Sequence, residues 1–164
     1  NENYFNPKDP LTFIITEITN TLGEMGFEME RAHTEVGDEQ FEVNWRFDTA
    51  ERTADKIQYY KLIAHKVAQK YGYDVTFLPK PYALRNGSGM HCHLSVQNAK
   101  DNLFYDKKSK DMNFSEKSLQ FLTGILDHSP ALAAIANSTE VSYARLVPGY
   151  EAPCVVAIGA CNRT

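Results

Sequence analysis

Glu35 and Glu42 stand seven residues apart on either side of the turn-rich run Gly37-Asp38-Glu39. Antiparallel pairing of the flanking segments can bring both carboxylates to one sheet face, and hard divalent cations take such oxygens. His91 and His93, at i and i+2, share a face wherever the chain is extended. With two carboxylates they compose a mixed nitrogen and oxygen set suited to Mg2+, Mn2+ or Zn2+. Cys92 lies between them, points to the opposite face and reads as a core residue. Exposed strand glutamates and structural histidines are the ordinary alternatives. Asn86-Gly87-Ser88-Gly89 lacks both the Walker lysine and the spacing of a dinucleotide fingerprint, so alone it is a flexible turn. The run from Arg145 to Pro153, RLVPGYEAP, sets an arginine and Glu151 among three turn-forming residues. Arginine clamps carboxylates or phosphates, but the spacing equally describes a surface loop with a salt bridge.

These groups need elements to hold them. Asp9-Pro10 reads as an N-cap followed by proline at the first helical position. Leu11, Ile14, Ile15, Ile18 and Leu22 then recur at helical spacing up to Gly26. Residues 27–35 and 40–46 fit two extended segments, the second alternating Phe41, Val43 and Trp45 with polar residues, which predicts a hairpin. Residues 53–71 carry a helical pattern closed by Gly72, and residues 74–78 read as a short strand. Pro79-Lys80-Pro81 is extended by the restrictions of proline. Met90, Cys92, Leu94 and Val96 alternate with His91, His93 and Ser95, predicting a strand with one apolar and one chemical face. Residues 98–111 read as a surface loop, 114–136 as helix interrupted at Pro130, and 154–160 as a strand. Helices and strands mix without regular alternation. The expected class is therefore α+β, a largely antiparallel sheet lining the active site with helices on its other face.

Among the 164 residues, 17 Lys+Arg against 21 Asp+Glu leave a net charge of −4, which argues against a general nucleic-acid binder. A chain that is 43% hydrophobic and 23% charged can fold as a globular domain. No apolar run approaches the roughly 20 residues of a membrane span, and the first twenty residues do not resemble a secretory signal. Cys92, Cys154 and Cys161 have no C-x-x-C spacing and fit reduced thiols, hence a cytoplasmic location. Starting at Asn1 and stopping at Thr164 after an apolar run, the chain reads as a piece of something longer.

Four strings occur in order: HTEVGDEQFEV (33–43), FLPKP (77–81), NGSGMHCHLS (86–95) and RLVPGYEAP (145–153). Together they closely resemble the catalytic domain of the glutamine synthetase family, ATP-dependent glutamate-ammonia ligases. Tyr4-Phe5 with Pro7 and Asp9, and the closing Asn162-Arg163-Thr164, resemble it too, so the likeness covers essentially the whole chain. It implies two divalent cations, Mg2+ or Mn2+, one held by Glu35 and Glu42 and the other by His91. It implies ATP with Phe47 near the adenine, His93 and Ser95 along the nucleotide, and Arg163 on the phosphates. It implies that Tyr4, Asn86, Gly87 and Arg145 bind glutamate, and that Glu151, on a flap, takes a proton from ammonium; Glu151 and Arg163 are the catalytic pair. ATP would phosphorylate the γ-carboxylate and the amine would attack the acyl phosphate.

The resemblance further implies that residues 1–164 are part of one catalytic domain of a ring-shaped homo-oligomer, a dodecamer. The family's N-terminal β-grasp domain and C-terminal remainder lie outside the chain, so the isolated 164 residues are expected to be inactive. Where the family has His-His-Glu-Val and a proline-glycine turn, this chain has His33-Thr34-Glu35-Val36-Gly37-Asp38-Glu39. Where it has Asn-Ser-Tyr-Lys-Arg, this chain has Val141-Ser142-Tyr143-Ala144-Arg145. A γ-glutamyl ligase for methylamine or a polyamine is therefore an alternative, although the intact RLVPGYEAP favours ammonia. A non-catalytic relative would be expected to lose Glu35, Glu42, His91 or Arg145, and none is lost. A metallohydrolase built on His91 and His93 leaves RLVPGYEAP unexplained.

Overall fold

The structure is a computed structural model that describes residues 10–110 and 112–159. The chain divides into two compact units, residues 1–77 and 78–164. Each is described by itself.

In the first unit, α1 (Pro10–Glu24) and α2 (Ala50–Lys70) flank a hairpin of β1 (Met29–Thr34) and β2 (Phe41–Trp45). The apolar stripe expected of the first helix becomes the core. Ile14, Ile18 and Leu22 are fully buried and meet Ala64, Val67 and Ala68 of α2, Val43 of β2 and Phe27. Each large side chain so buried contributes roughly 1.5–3 kcal/mol. Gly26, at φ 90°, ends α1 in the left-handed region that an L side chain resists. Thr49 caps α2, its side chain accepting from the Arg52 amide, so that helix begins three residues before the predicted Thr53. Phe27, Trp45, Tyr60 and Phe77 form a chain of edge-on rings with centroids 5.5–5.6 Å apart. Outside the core, Lys70 and Tyr71 both donate to Glu17 and hold its carboxyl below the ordinary carboxylate range, tying α2 to α1.

The strands pair antiparallel, with His33 opposite Glu42, Ala32 opposite Val43 and a register shift between Met29 and Arg31. Paired residues share a face, so Ala32 and Val43 point toward the helices while His33 and Glu42 point away. The two-stranded antiparallel sheet thus carries helices on one face, as expected, and the polar side chains of His33 and Glu42 on the other. No helix among the described residues is long and apolar enough to cross a membrane.

The second unit holds α3 (Glu116–Asp127), α4 (Ser129–Ala136) and α5 (Glu140–Ala144). Ser115 caps α3, and Pro130 sits in the first turn of α4, so the predicted interruption falls at His128. The predicted strand at 90–96 does not form: this segment is exposed throughout, and the nearest pairing is the isolated bridge Gln97–Asn102. Residues 74–78 and the described part of 154–160 are likewise outside any strand. Alternation sets which way side chains point, but a strand exists only beside another strand, and among the described residues the one sheet is β1 with β2; at the edge of these segments the Leu103 amide donates to Val96 O at 2.7 Å without extending into a ladder. Cys92, expected in the core, is consequently exposed, as is Cys154; both are free thiols. Tyr4, Arg163 and Cys161 lie outside the described residues.

Candidate active site

The hairpin builds the first cluster. Glu35 donates its backbone N–H to Gln40 O at 2.8 Å, closing the turn, and Glu39 takes the left-handed conformation at φ 60° that reverses the chain. Glu35, two residues beyond His33, lies on the same face as the His33–Glu42 pair. His33 Nδ1 lies 3.4 Å from Glu35 Oε1, and Nε2 lies 3.7 Å from Glu42 Oε1. One ligand-capable atom from each of the three falls within 4.8 Å of the others. Asn44 Nδ2 donates to Glu42 Oε1 at 2.9 Å and restrains that carboxylate. The His33 ring also contacts the Thr34 carbonyl through Nδ1 at 3.2 Å. A proton on Nδ1 satisfies that carbonyl and leaves the Nε2 lone pair on the Glu42 side. Two carboxylates and an imidazole at this spacing form a donor set that fits a hard or borderline divalent cation.

The hairpin thus brings together Glu35 and Glu42, as anticipated, and adds His33, which was not anticipated as a site residue. Its signal was legible: it stands at i−2 from Glu35 in an extended run. Glu42 also contributes, after burial, to raising the Tyr60 hydroxyl to about 12 on the far side of the sheet. Just past β2, Phe47 is 71% exposed, with the Arg46 guanidinium 5.6 Å from its ring centroid. It borders a polar groove lined by Glu28, Arg46, Asp48, Arg52 and Lys56.

The second unit builds another cluster from residues far apart in sequence. Asn86 Nδ2 donates to Glu151 Oε2 at 3.0 Å. A Cβ on Gly87 would lie 2.5 Å from Pro79 O and 2.5 Å from Arg145 Cγ, so only glycine admits the arginine stem and the proline carbonyl there. A Cβ on Gly89 would lie 3.2 Å from Arg145 Nη1 and 3.8 Å from His91 Nε2, which puts the guanidinium and the imidazole around one backbone turn. Ser88 N–H donates to Pro79 O at 2.9 Å and fixes that turn. Glu151 itself sits at φ 53°, a costly conformation for a non-glycine residue and one that clusters at functional sites. Asn86, Gly87, His91, Arg145 and Glu151 are therefore assembled locally. His93 and Ser95 lie on the exposed stretch that follows. A further residue that sequence reading passed over is Lys80, buried beneath this loop.

This α+β fold with its antiparallel hairpin is shared with a solved glutamine synthetase. Among solved structures, cryo-electron microscopy of Plasmodium falciparum glutamine synthetase gives a TM-score of 0.86 at 33% identity, over 92% of this chain and 29% of that one. A GmaS/ADP complex gives 0.85 at 32% identity, over 96% of this chain and 39% of that one. The glutamine synthetase of Halobacterium salinarum is 44% identical over 159 residues, covering 96% of this chain and 35% of that protein. That of Escherichia coli strain K12 is 43% identical over 159 residues, covering 96% and 34%. The family model described as the glutamine synthetase catalytic domain matches residues 1–164. The chain belongs to the glutamine synthetase family. It spans about a third of the length of the curated relatives it matches.

Proposed function

We propose that the full-length protein is an ATP-dependent glutamate-ammonia ligase acting in the cytoplasm, with residues 1–164 part of its single catalytic domain. The observation that carries this reading is the convergence of Arg145, Gly87, Asn86 and Glu151 on one loop cluster. A guanidinium, an open backbone and an amide-held carboxylate are what an amino-acid substrate and an incoming cationic amine require.

In the proposed reaction a γ-carboxylate oxygen of glutamate attacks the terminal phosphorus of ATP, ADP leaves, and γ-glutamyl phosphate forms. Ammonia then attacks the acyl carbon, inorganic phosphate departs and the amide remains. Arg145 holds the substrate carboxylate, and Gly87 leaves room for the amino group. Glu151, oriented by Asn86, attracts ammonium and accepts a proton from it. Phe47, His93, Ser95 and Arg163 serve the nucleotide, with Arg163 also countering phosphoryl charge and Tyr4 lining the glutamate pocket. Two divalent cations, one at Glu35 and Glu42 beside His33 and one at His91, would supply charge neutralisation for the phosphoryl group. Family likeness supports Mg2+ or Mn2+ and a ring-shaped homo-oligomer, a dodecamer.

Glu151→Gln tests the reading in the full-length protein. It keeps an acceptor for the Asn86 amide but cannot take a proton. Glutamine formation should fall about 100- to 10,000-fold, with ATP and glutamate binding nearly intact. Wild-type glutamine formation by this variant, or a higher kcat/KM of the wild type for methylamine than for ammonium, would refute it.

A further inference from the structure

Lys80 is 9% exposed and is the only buried charged residue among the described ones. Removing an ammonium from water is costly unless something compensates it. Its compensation is unusual: Nζ donates to the Arg85 backbone carbonyl and lies 4.0 Å from the centroid of the Tyr150 ring. Among the described residues no carboxylate lies within ion-pair distance of it. An ammonium over an aromatic face is attracted by the ring quadrupole, most strongly when desolvated.

Both partners are one residue from groups assigned above. Arg85 precedes Asn86, and Tyr150 precedes Glu151. The Asn86–Glu151 hydrogen bond at 3.0 Å is thus one rung between two segments, and the Arg85–Lys80–Tyr150 contact is a second rung directly behind it. The base of this second rung is stiff. Pro79 and Pro81 fix the backbone on both sides of Lys80, and Pro79 O accepts from Ser88. Its far end is the part that needs support, because Gly149 and Glu151 on either side of Tyr150 both have positive φ, 87° and 53°.

We propose that Lys80 is a positioning residue whose ammonium joins the Arg85 carbonyl to the Tyr150 ring and so sets the separation between Asn86 and Glu151. Its effect on turnover rests on the ligase reading; the coupling of the two segments does not. A lysine here does what a methionine of similar length cannot, since the stem fills space but the charged head makes both contacts.

The test uses the full-length protein with Lys80→Met, Lys80→Arg, Tyr150→Leu, Tyr150→Phe and the double variant Lys80→Met/Tyr150→Leu. Hydrogen–deuterium exchange is followed at residues 85–88 and 147–152, together with kinetics for ammonium. Lys80→Met and Tyr150→Leu should each speed exchange in both segments about tenfold, the double variant no further, and Tyr150→Phe, which keeps the ring, should retain protection. Lys80→Met should lower kcat/KM for ammonium about 10- to 100-fold, with KM for glutamate and ATP within about twofold, and Lys80→Arg should restore part of the loss. Tyr150→Leu reads the same coupling without altering the buried lysine. Unchanged exchange in Lys80→Met and Tyr150→Leu, or effects that multiply in the double variant, would overturn the coupling. Faster exchange with wild-type ammonium kinetics would overturn the positioning role. A wild type that forms no amide counts against the ligase reading alone, since the exchange data still decide the coupling.

Discussion

Gly87→Ala is the sharpest test of the loop geometry. The added methyl would sit 2.5 Å from Pro79 O and 2.5 Å from Arg145 Cγ, whereas real Cβ atoms essentially never approach within 3.0 Å. At least 0.5 Å must therefore be recovered on both sides. The arginine stem can rotate away, at the expense of the guanidinium's place. The carbonyl cannot, because it belongs to a proline and already accepts from Ser88 at 2.9 Å. Forced overpacking of this kind costs about 1–3 kcal/mol, and, on the proposal that Arg145 holds the substrate carboxylate, its displacement by about 1 Å costs roughly 100-fold in rate. Gly87 has no positive φ, so the effect is steric and not conformational. Gly89→Ala is the matched control. Its methyl would meet only the tip of Arg145 at 3.2 Å and His91 at 3.8 Å, which flexible side chains can relieve. In glutamine-forming assays of the full-length protein with varied glutamate, Gly87→Ala should raise KM for glutamate and lower kcat, with a lowered melting temperature. Gly89→Ala should do distinctly less. Equal behaviour of the two variants, or wild-type kinetics for Gly87→Ala, would refute the close approach of Arg145 to this turn.

Gly124→Ala, within α3 where a Cβ meets nothing inside 4 Å, should stabilise by about 0.5–1 kcal/mol in denaturant titrations. His33→Ala should weaken Mn2+ binding, followed by calorimetry, about 10- to 100-fold; unchanged affinity would remove His33 from the hairpin cluster. Burial, and then the charge of Glu42, raise the Tyr60 hydroxyl to about 12, so the folded state resists an ionisation the unfolded chain undergoes near 10. The associated stability is present below pH 10 and is lost between pH 10 and about 12, on the order of 2–3 kcal/mol. Tyr60→Phe should abolish that part of the alkaline loss, and an unchanged slope would show that Tyr60 does not cause it.

The elements most legible in the sequence were those whose partners lie close by. The stripe from Leu11 to Leu22 and the alternation from Phe41 to Trp45 each specify a buried face, and the turn at 37–39 supplies the hairpin register that puts Glu35 and Glu42 together. Met90 to Val96 alternates just as clearly yet stays exposed, because periodicity says nothing about whether a neighbouring strand exists. The same gap misplaced Cys92. Family strings linked Asn86 and Gly87 to Arg145 and Glu151, which no local spacing could have joined. His33 was readable from its offset to Glu35. Lys80 was not, since a lysine between two prolines gives no sign that a tyrosine seventy residues onward will cover it.

The hairpin also orders events in time. Its ladder joins near neighbours in the chain, and such closures take about 1–10 μs once both strands exist. The Asn86–Glu151 bond spans 65 residues. At about 5–20 residues per second of synthesis, roughly 100 residues separate the completion of Trp45 from the appearance of Glu151, an interval of about 5–20 s. The side chains of Glu35 and Glu42 can therefore converge on a nascent chain that has yet to make Glu151. The cluster of His33, Glu35 and Glu42 is thus complete before the Asn86–Glu151 contact can form, so the two clusters assemble one after the other along the growing chain.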